Sequence, residues 1–208
     1  PLTLDPATAD ANVFSIVSNV CEGLVGFDRG MKAIPLLATS WQSPDEHTWV
    51  LQLREGVVFH DGEPLTPQAV KASLDAARAG TGAGERGFLA SVASVEVQSP
   101  RSLVITTSGP NPLLLSNLVQ VPVYRRGAAG ALVGTGPYRL VSFDAKIVEL
   151  EGFSRYWGGA PALPRIEFVT TKRGEDTLAS RRSRAEESRR DRSSPREERP
   201  TCPHRASS

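Results

Sequence analysis

Little in this 208-residue chain points to covalent chemistry. It holds two cysteines, Cys21 and Cys202, three histidines and a single methionine. Two cysteines so far apart make no disulfide framework, and no Cys/His cluster stands at zinc spacing. No serine lies in a Gly-x-Ser-x-Gly turn, and the first 171 residues offer only His47 and His60 as a base. Neither an enzyme, a catalytic residue, a resident metal nor a cofactor is expected. The chain also lacks any run of ~18 apolar residues, which argues against a spanning helix. It has no initiator Met and no charged-then-apolar leader, so a secretory signal is expected to have been removed or to lie outside this sequence.

Several motifs that invite a chemical reading fail on inspection. Gly134-Thr135-Gly136-Pro137-Tyr138 contains a Gly-x-Gly, but it lacks the third glycine and the following helix of a dinucleotide loop. Pro137 also removes a backbone donor that a phosphate cradle would use. A tight turn entering a strand is the better reading. The glycine-rich stretch 80–87 has no Lys-Ser/Thr to make a phosphate loop and reads as a flexible loop. His60-Asp61 has the chemistry of an acid/base or metal pair, yet neighbouring strand residues point to opposite faces, and Asp61-Gly62 is a turn signal. Trp41, Trp49, Tyr156 and Trp157 read as packing residues.

Charge divides the chain in two. Of 24 Lys and Arg, 11 lie in residues 172–208, with 7 of the 23 Asp and Glu, leaving residues 1–171 with a balance of −3. The body therefore carries no basic excess of the kind nucleic acid attracts. The last 37 residues contain no aromatic residue and are dominated by Arg, Ser, Glu and Pro. Such text buries too little apolar surface to offset the entropy of ordering it, so a disordered tail is expected. Its acids interrupt its arginines, as in Arg184-Ala185-Glu186-Glu187, which argues against a concentrated phosphate-binding patch.

Within the body, apolar residues Val13, Ile16, Val17, Val20, Cys21 and Leu24 recur at helical spacing behind a cap at Thr8 or Asp10. The helix is expected to end near Glu22-Gly23 and to pass into a strand over residues 24–27. Thr66-Pro67 predicts a second helix start: threonine caps, and proline at the first helical position loses only a donor that would go unpaired. Val70, Leu74 and Ala77 form its buried stripe. Residues 92–97 and 102–107 read as a hairpin, 112–119 as a short helix, 121–124 as an extended link, 138–143 and 147–150 as a second hairpin, and 165–169 as a last strand. Strands that come in pairs favour an α+β fold with mixed sheets over a doubly wound one.

The most informative stretch runs from Ile34 to Thr66. In it Trp49, Leu51 and Leu53 alternate with Thr48, Val50 and Gln52 as in a half-buried strand, between turns at Ser43-Pro44-Asp45-Glu46 and Asp61-Gly62. The blocks Glu22-Gly23-Leu24, Pro35-Leu36-Leu37-Ala38-Thr39-Ser40-Trp41, Leu53-Arg54-Glu55-Gly56-Val57-Val58-Phe59-His60-Asp61-Gly62, Gly134-Thr135-Gly136-Pro137-Tyr138 and Tyr156-Trp157-Gly158-Gly159 follow one another in order. In that order they resemble the extracytoplasmic solute-binding proteins of ABC importers that bind oligopeptides, dipeptides and nickel complexes. The resemblance runs from Leu4 to about Thr171.

That resemblance implies an incomplete lobe of a two-lobed binding protein, with residues 1–171 as the first lobe and a small inserted subdomain. Residues 172–208 are then expected to be a tail, read from a shifted frame. The implied role is capture of peptides or a similar small solute in the periplasm or at the outer face of the cytoplasmic membrane. Delivery would be to the permease subunits of an importer, with membrane association only through the transporter or a lipid anchor, and no nucleic acid is expected. The ligand-facing positions fall by resemblance on the loop before the first helix (Ala9, Asp10, Ala11, Asn12), on Phe14, near Phe88, and on Val123 and Tyr124. A nickel-chelate binder of the same family is an alternative, in which Val123 stands where a cation is usual and Arg125 lies two residues away. An interaction protein whose basic tail binds nucleic acid or anionic membrane is the alternative from another class.

Overall fold

The computed structural model describes Leu4, Pro6 and residues 11–80, 83–144 and 146–169. The Thr8 or Asp10 cap and the whole 172–208 tail lie outside the described residues. Helix α1 (Ala11–Val20) leads into strands β1 (Glu22–Gly23), β2 (Val25–Phe27), β3 (Ala33–Pro35), β4 (Ala38–Gln42) and β5 (Thr48–Leu53). Helices α2 (Pro67–Ala79) and α3 (Ala83–Phe88) follow, then β6 (Val92–Ser99), β7 (Ser102–Thr107), α4 (Leu114–Val119), β8 (Pro122–Val123), β9 (Arg125–Arg126) and β10 (Leu132–Val133). Strands β11 (Tyr138–Phe143), β12 (Ile147–Gly152) and β13 (Arg165–Val169) complete the described order. The fold is α+β, with paired antiparallel strands as the sequence pattern implies.

The largest sheet has the order β4-β5-β7-β6, antiparallel throughout. Alternation along β5 sends Leu51 and Leu53 into the core, where Val70, Leu74 and Ala77 of α2 meet them with Leu103 and Ile105. Fully burying each of the Leu, Val and Ile side chains is worth ~1.5–3 kcal/mol. The start of α2 follows its sequence signal: Thr66 is extended and its Oγ1 accepts from the Ala69 backbone N at 3.1 Å. The stretch 80–87 differs from expectation. Its residues 83–87 belong to α3, despite the glycines, and Leu89 just beyond that helix joins the core.

A second sheet, β11-β12-β13, packs Leu140, Val148, Leu150, Ile166 and Phe168 with the apolar stripe of α1 (Val13, Ile16, Val17, Val20) in a smaller core. The segment 134–137 joins the two structures. Gly136 N donates to the carbonyl of Val20, the last residue of α1, at 2.9 Å. A Cβ on Gly134 would stand 2.0 Å from that same oxygen, and one on Gly136 2.7 Å from the Asn19 carbonyl. The Gly-x-Gly is thus a packing device that lets two backbones touch and closes a helix end whose carbonyls need donors.

Candidate ligand-binding wall

Where α1 ends, the chain places a carboxylate in the interior. Glu22 opens β1, which pairs with β8 so that Glu22 faces Val123 in register. Burial of its side chain would be costly unless the oxygens were met by donors, and they are. Glu22 Oε2 accepts from Thr135 Oγ1 at 2.9 Å and from Trp157 Nε1 at 3.0 Å. Its Oε1 accepts from Tyr156 Oη at 3.0 Å and Trp157 Nε1 at 3.1 Å. The Arg54 guanidinium lies over the Trp157 ring at 3.9 Å, its Nε donating to the Leu36 carbonyl at 2.8 Å. Burial raises the Glu22 carboxyl above the ordinary carboxylate value, and the three donors and Arg54 oppose that rise. Burial and the neighbouring carboxylate also push the Tyr156 phenol up, so it stays a donor.

Beside this group opens a recess of about 370 Å³. Phe14, Ser18 and Cys21 enter it from α1 and its end, Glu22 and Gly23 from β1, Leu36 from the β3–β4 link, Pro122 from β8, and Pro137 and Tyr156 from the later segments. Its surface is mainly apolar, and among the described residues its lining includes one acid and no Lys, Arg or His. Phe14 is 39% exposed, unusual for a large apolar side chain on a helix whose stripe is otherwise buried. Cys21 is a free, buried thiol that burial pushes up, so it lines the wall as a neutral apolar group.

The family-implied positions separate in the structure. Asp10 and Ala9 lie outside the described residues. Ala11 and Asn12 are the first two residues of α1, and only their backbone is described. Phe14 lines the recess. Phe88 is 38% exposed at the end of α3 and is not among the residues around it. Val123 has no exposed surface: its pairing in β8 turns the side chain into the larger core, and its neighbour Pro122 reaches the recess instead. Tyr124 is half-buried, with its backbone N donating to Ser73 Oγ at 3.0 Å and the Arg126 guanidinium 5.3 Å from its ring.

Sequence reasoning passed over Glu22, the centre of the polar network. The available signal was a lone acid in the apolar run Val20-Cys21-Glu22-Gly23-Leu24-Val25. It also read Tyr156 and Trp157 as packing residues without the acid that they cap. His60 and Asp61 do form a turn, with Gly62 at φ 91° and its N donating to the Phe59 carbonyl at 2.9 Å. Asp61 pairs with Arg125. Although partial burial opposes it, that pairing and the Glu63 N–H hold the Asp61 carboxyl below its usual range.

The recess is apolar, with satisfied polar groups and a wall drawn from several segments, features that small-solute sites share. Residues 32–186 match the family described as bacterial extracellular solute-binding proteins, family 5, and the chain belongs to that family. The match extends past Thr171 into the stretch read as tail. The chain is 31% identical over 182 residues to the glutathione-binding protein GsiB of Pectobacterium atrosepticum, spanning 81% of this chain and 35% of that protein. Among solved structures, it resembles a nickel ABC transporter protein of Bacillus halodurans at 33% identity with a TM-score of 0.75, over 90% of this chain and 39% of the other. NikZ of Campylobacter jejuni, solved with Ni(L-His), has the same fold at 23% identity, with a TM-score of 0.78 over 89% of this chain and 40% of its own. The chain thus spans well under half the length of these relatives.

Proposed function

We propose that this chain forms one wall of the binding site of a substrate-binding component of an ABC importer, and that the solute captured is a peptide or a similar small molecule. The observation that carries this reading is the recess at the end of α1, with Phe14 exposed at its side and a buried, fully donor-matched carboxylate at its edge. Phe14 supplies an apolar contact, and Asp10, Ala11 and Asn12 are proposed as ligand contacts on the family resemblance, the last two from the first turn of α1. Phe88, Val123 and Tyr124, which the family resemblance also assigns to the ligand, are not among the described residues that line this recess, and they are proposed as contacts outside it. The likeness to GsiB favours a short peptide such as glutathione as the first solute to test. The Bacillus halodurans likeness keeps a nickel chelate as the second. The proposed site of action is the periplasm or the outer face of the cytoplasmic membrane, with permease subunits as partners.

One wall leaves a bound solute half in water, and the cost of fixing it is not offset by a second set of contacts. Calorimetry of the 208-residue chain against glutathione and a dipeptide library is therefore expected to give affinities weaker than micromolar. Submicromolar binding by this chain contradicts the one-wall reading. Residues 1–171 as lobe and inserted subdomain, and 172–208 as a separate tail, are part of the same proposal. Limited proteolysis that stops near residue 171 supports it.

A further inference from the structure

We infer that His60 is a positioning residue for this wall, a latch that holds the segment 134–137 while its ring is neutral and releases it in acid. The inference rests on the proposed binding wall for its consequence, but its geometry stands apart from any ligand. His60 grips the segment twice. Its backbone N donates to the Gly134 carbonyl at 3.0 Å, and its Nε2 lies 3.0 Å from the Gly136 carbonyl. A carbonyl can only accept, so Nε2 carries the proton and Nδ1 is the bare acceptor.

Nδ1 is buried and has no hydrogen-bond partner among the described residues. Phe153 closes the ring's side edge-on, with centroids 5.0 Å apart, and is itself tied to the segment by its N–H to the Pro137 carbonyl at 2.8 Å. A proton added to Nδ1 would make a buried donor with no acceptor and a charge in a largely apolar setting. The charged groups around the ring give it little help. Asp61, the neighbouring carboxylate, is engaged by Arg125. Arg139 on β11 repels a second cation, although Glu151 pairs with it. The Arg155 guanidinium lies beside Gly62. Burial, opposed by the hydrogen bond to the Gly136 carbonyl, holds the ring's proton affinity below the ordinary histidine value.

A charged ring relieves the misfit by turning Nδ1 to water, which breaks the Nε2 bond to Gly136. What loosens next is fixed by the contacts of the segment. Gly136 N closes α1 at Val20, Thr135 Oγ1 donates to Glu22, and Pro137 lines the recess with Phe14. His60 is not among the described residues that line the recess, yet through this segment it sets the position of three parts around it.

The test follows the ring and the segment together in the full chain. Proton–carbon spectra of the histidine rings and proton–nitrogen spectra of the Thr135, Gly136 and Cys21 amides are recorded from pH 8 to 5. The expected result is a His60 midpoint below ~6.5, with the three amides shifting at the same midpoint. His60→Gln keeps a side-chain N–H for the Gly136 carbonyl and cannot titrate, so the amide step at that midpoint should vanish. A His60 midpoint at or above the ordinary value, or amides that do not move with it, overturns the inference. Should His60→Gln fail to fold, the wild-type co-titration decides alone. Failure of the binding reading would leave this step intact, because no solute is present in the measurement.

Discussion

The indole N–H of Trp157 donates to both carboxylate oxygens of Glu22, at 3.1 and 3.0 Å, across 135 residues of chain. This contact ties the strand after α1 to the late Tyr156-Trp157 segment. Thr135 adds a tie from the segment 134–137. The carboxylate therefore fixes three distant stretches against one another at the rim of the recess.

Replacing Glu22 by Ala should leave Thr135 Oγ1, Tyr156 Oη and Trp157 Nε1 without their acceptor. The expected loss is about 2–4 kcal/mol of stability, read from urea unfolding. Glu22→Gln keeps the shape and part of the acceptor capacity and should lose less.

The two buried titrating groups should act on stability with opposite signs. The Glu22 carboxyl is raised in the fold, so its contribution is full below the unfolded value near ~4.5 and is lost as pH rises through the folded value. His60 is lowered in the fold, so its contribution is full above ~6.5 and is lost as pH falls through the folded value. Unfolding curves from pH 4 to 8 should show the acid-side loss flattened in His60→Gln, and the Glu22 dependence absent in Glu22→Gln. A wild-type slope that neither variant changes would contradict both assignments.

Glycine substitutions should divide by contact. Gly134→Ala forces a Cβ onto the Val20 carbonyl and should cost about 3 kcal/mol or more, or prevent folding. Gly87→Ala, on α3, meets nothing within 4 Å among the described residues and should raise stability by about 0.5–1 kcal/mol. Thermal unfolding of the two variants, one lowered and one raised, checks the pair.

Met31 sits at the tip of the β2–β3 hairpin with φ 61° and is 69% exposed. Asp28 holds the turn, its Oδ1 accepting from the N–H groups of Gly30 and Lys32 at 2.8 and 2.9 Å. A left-handed conformation costs a residue with a Cβ ~1–2 kcal/mol. Met31→Gly should recover part of that, about 0.5–1 kcal/mol in urea unfolding, since glycine also gains freedom in the unfolded chain.

Much of the fold was legible because its signals are local. Thr66-Pro67 marks the start of α2, and the alternation in residues 48–53 marks β5 and its buried face. The pairs 92–99 with 102–107 and 138–143 with 147–152 form as antiparallel hairpins. α3 was missed because its glycines lower helix propensity, while its placement depends on the tertiary contacts of neighbouring Leu89. The site was less legible for a similar reason. Glu22 acquires its meaning from partners 113–135 residues away, which no local pattern reports. Phe14, which the family resemblance assigned to the ligand, lines the recess. Val123, which the family resemblance assigned to the ligand, has its side chain buried in the larger core, a face that no local pattern in a two-residue strand reports.

The central claim is that the recess beside Phe14 and Glu22 is the solute-binding wall. Chemical-shift mapping of the isotope-labelled 208-residue chain, titrated into the millimolar range with glutathione and with apolar dipeptides, tests it most directly. The account predicts shifts centred on Phe14, Ser18, Cys21, Glu22 and Tyr156 for at least one of these solutes, reduced in Phe14→Ala. Shifts confined to the β4-β5-β7-β6 sheet, or none at these residues with any of the solutes, would contradict it.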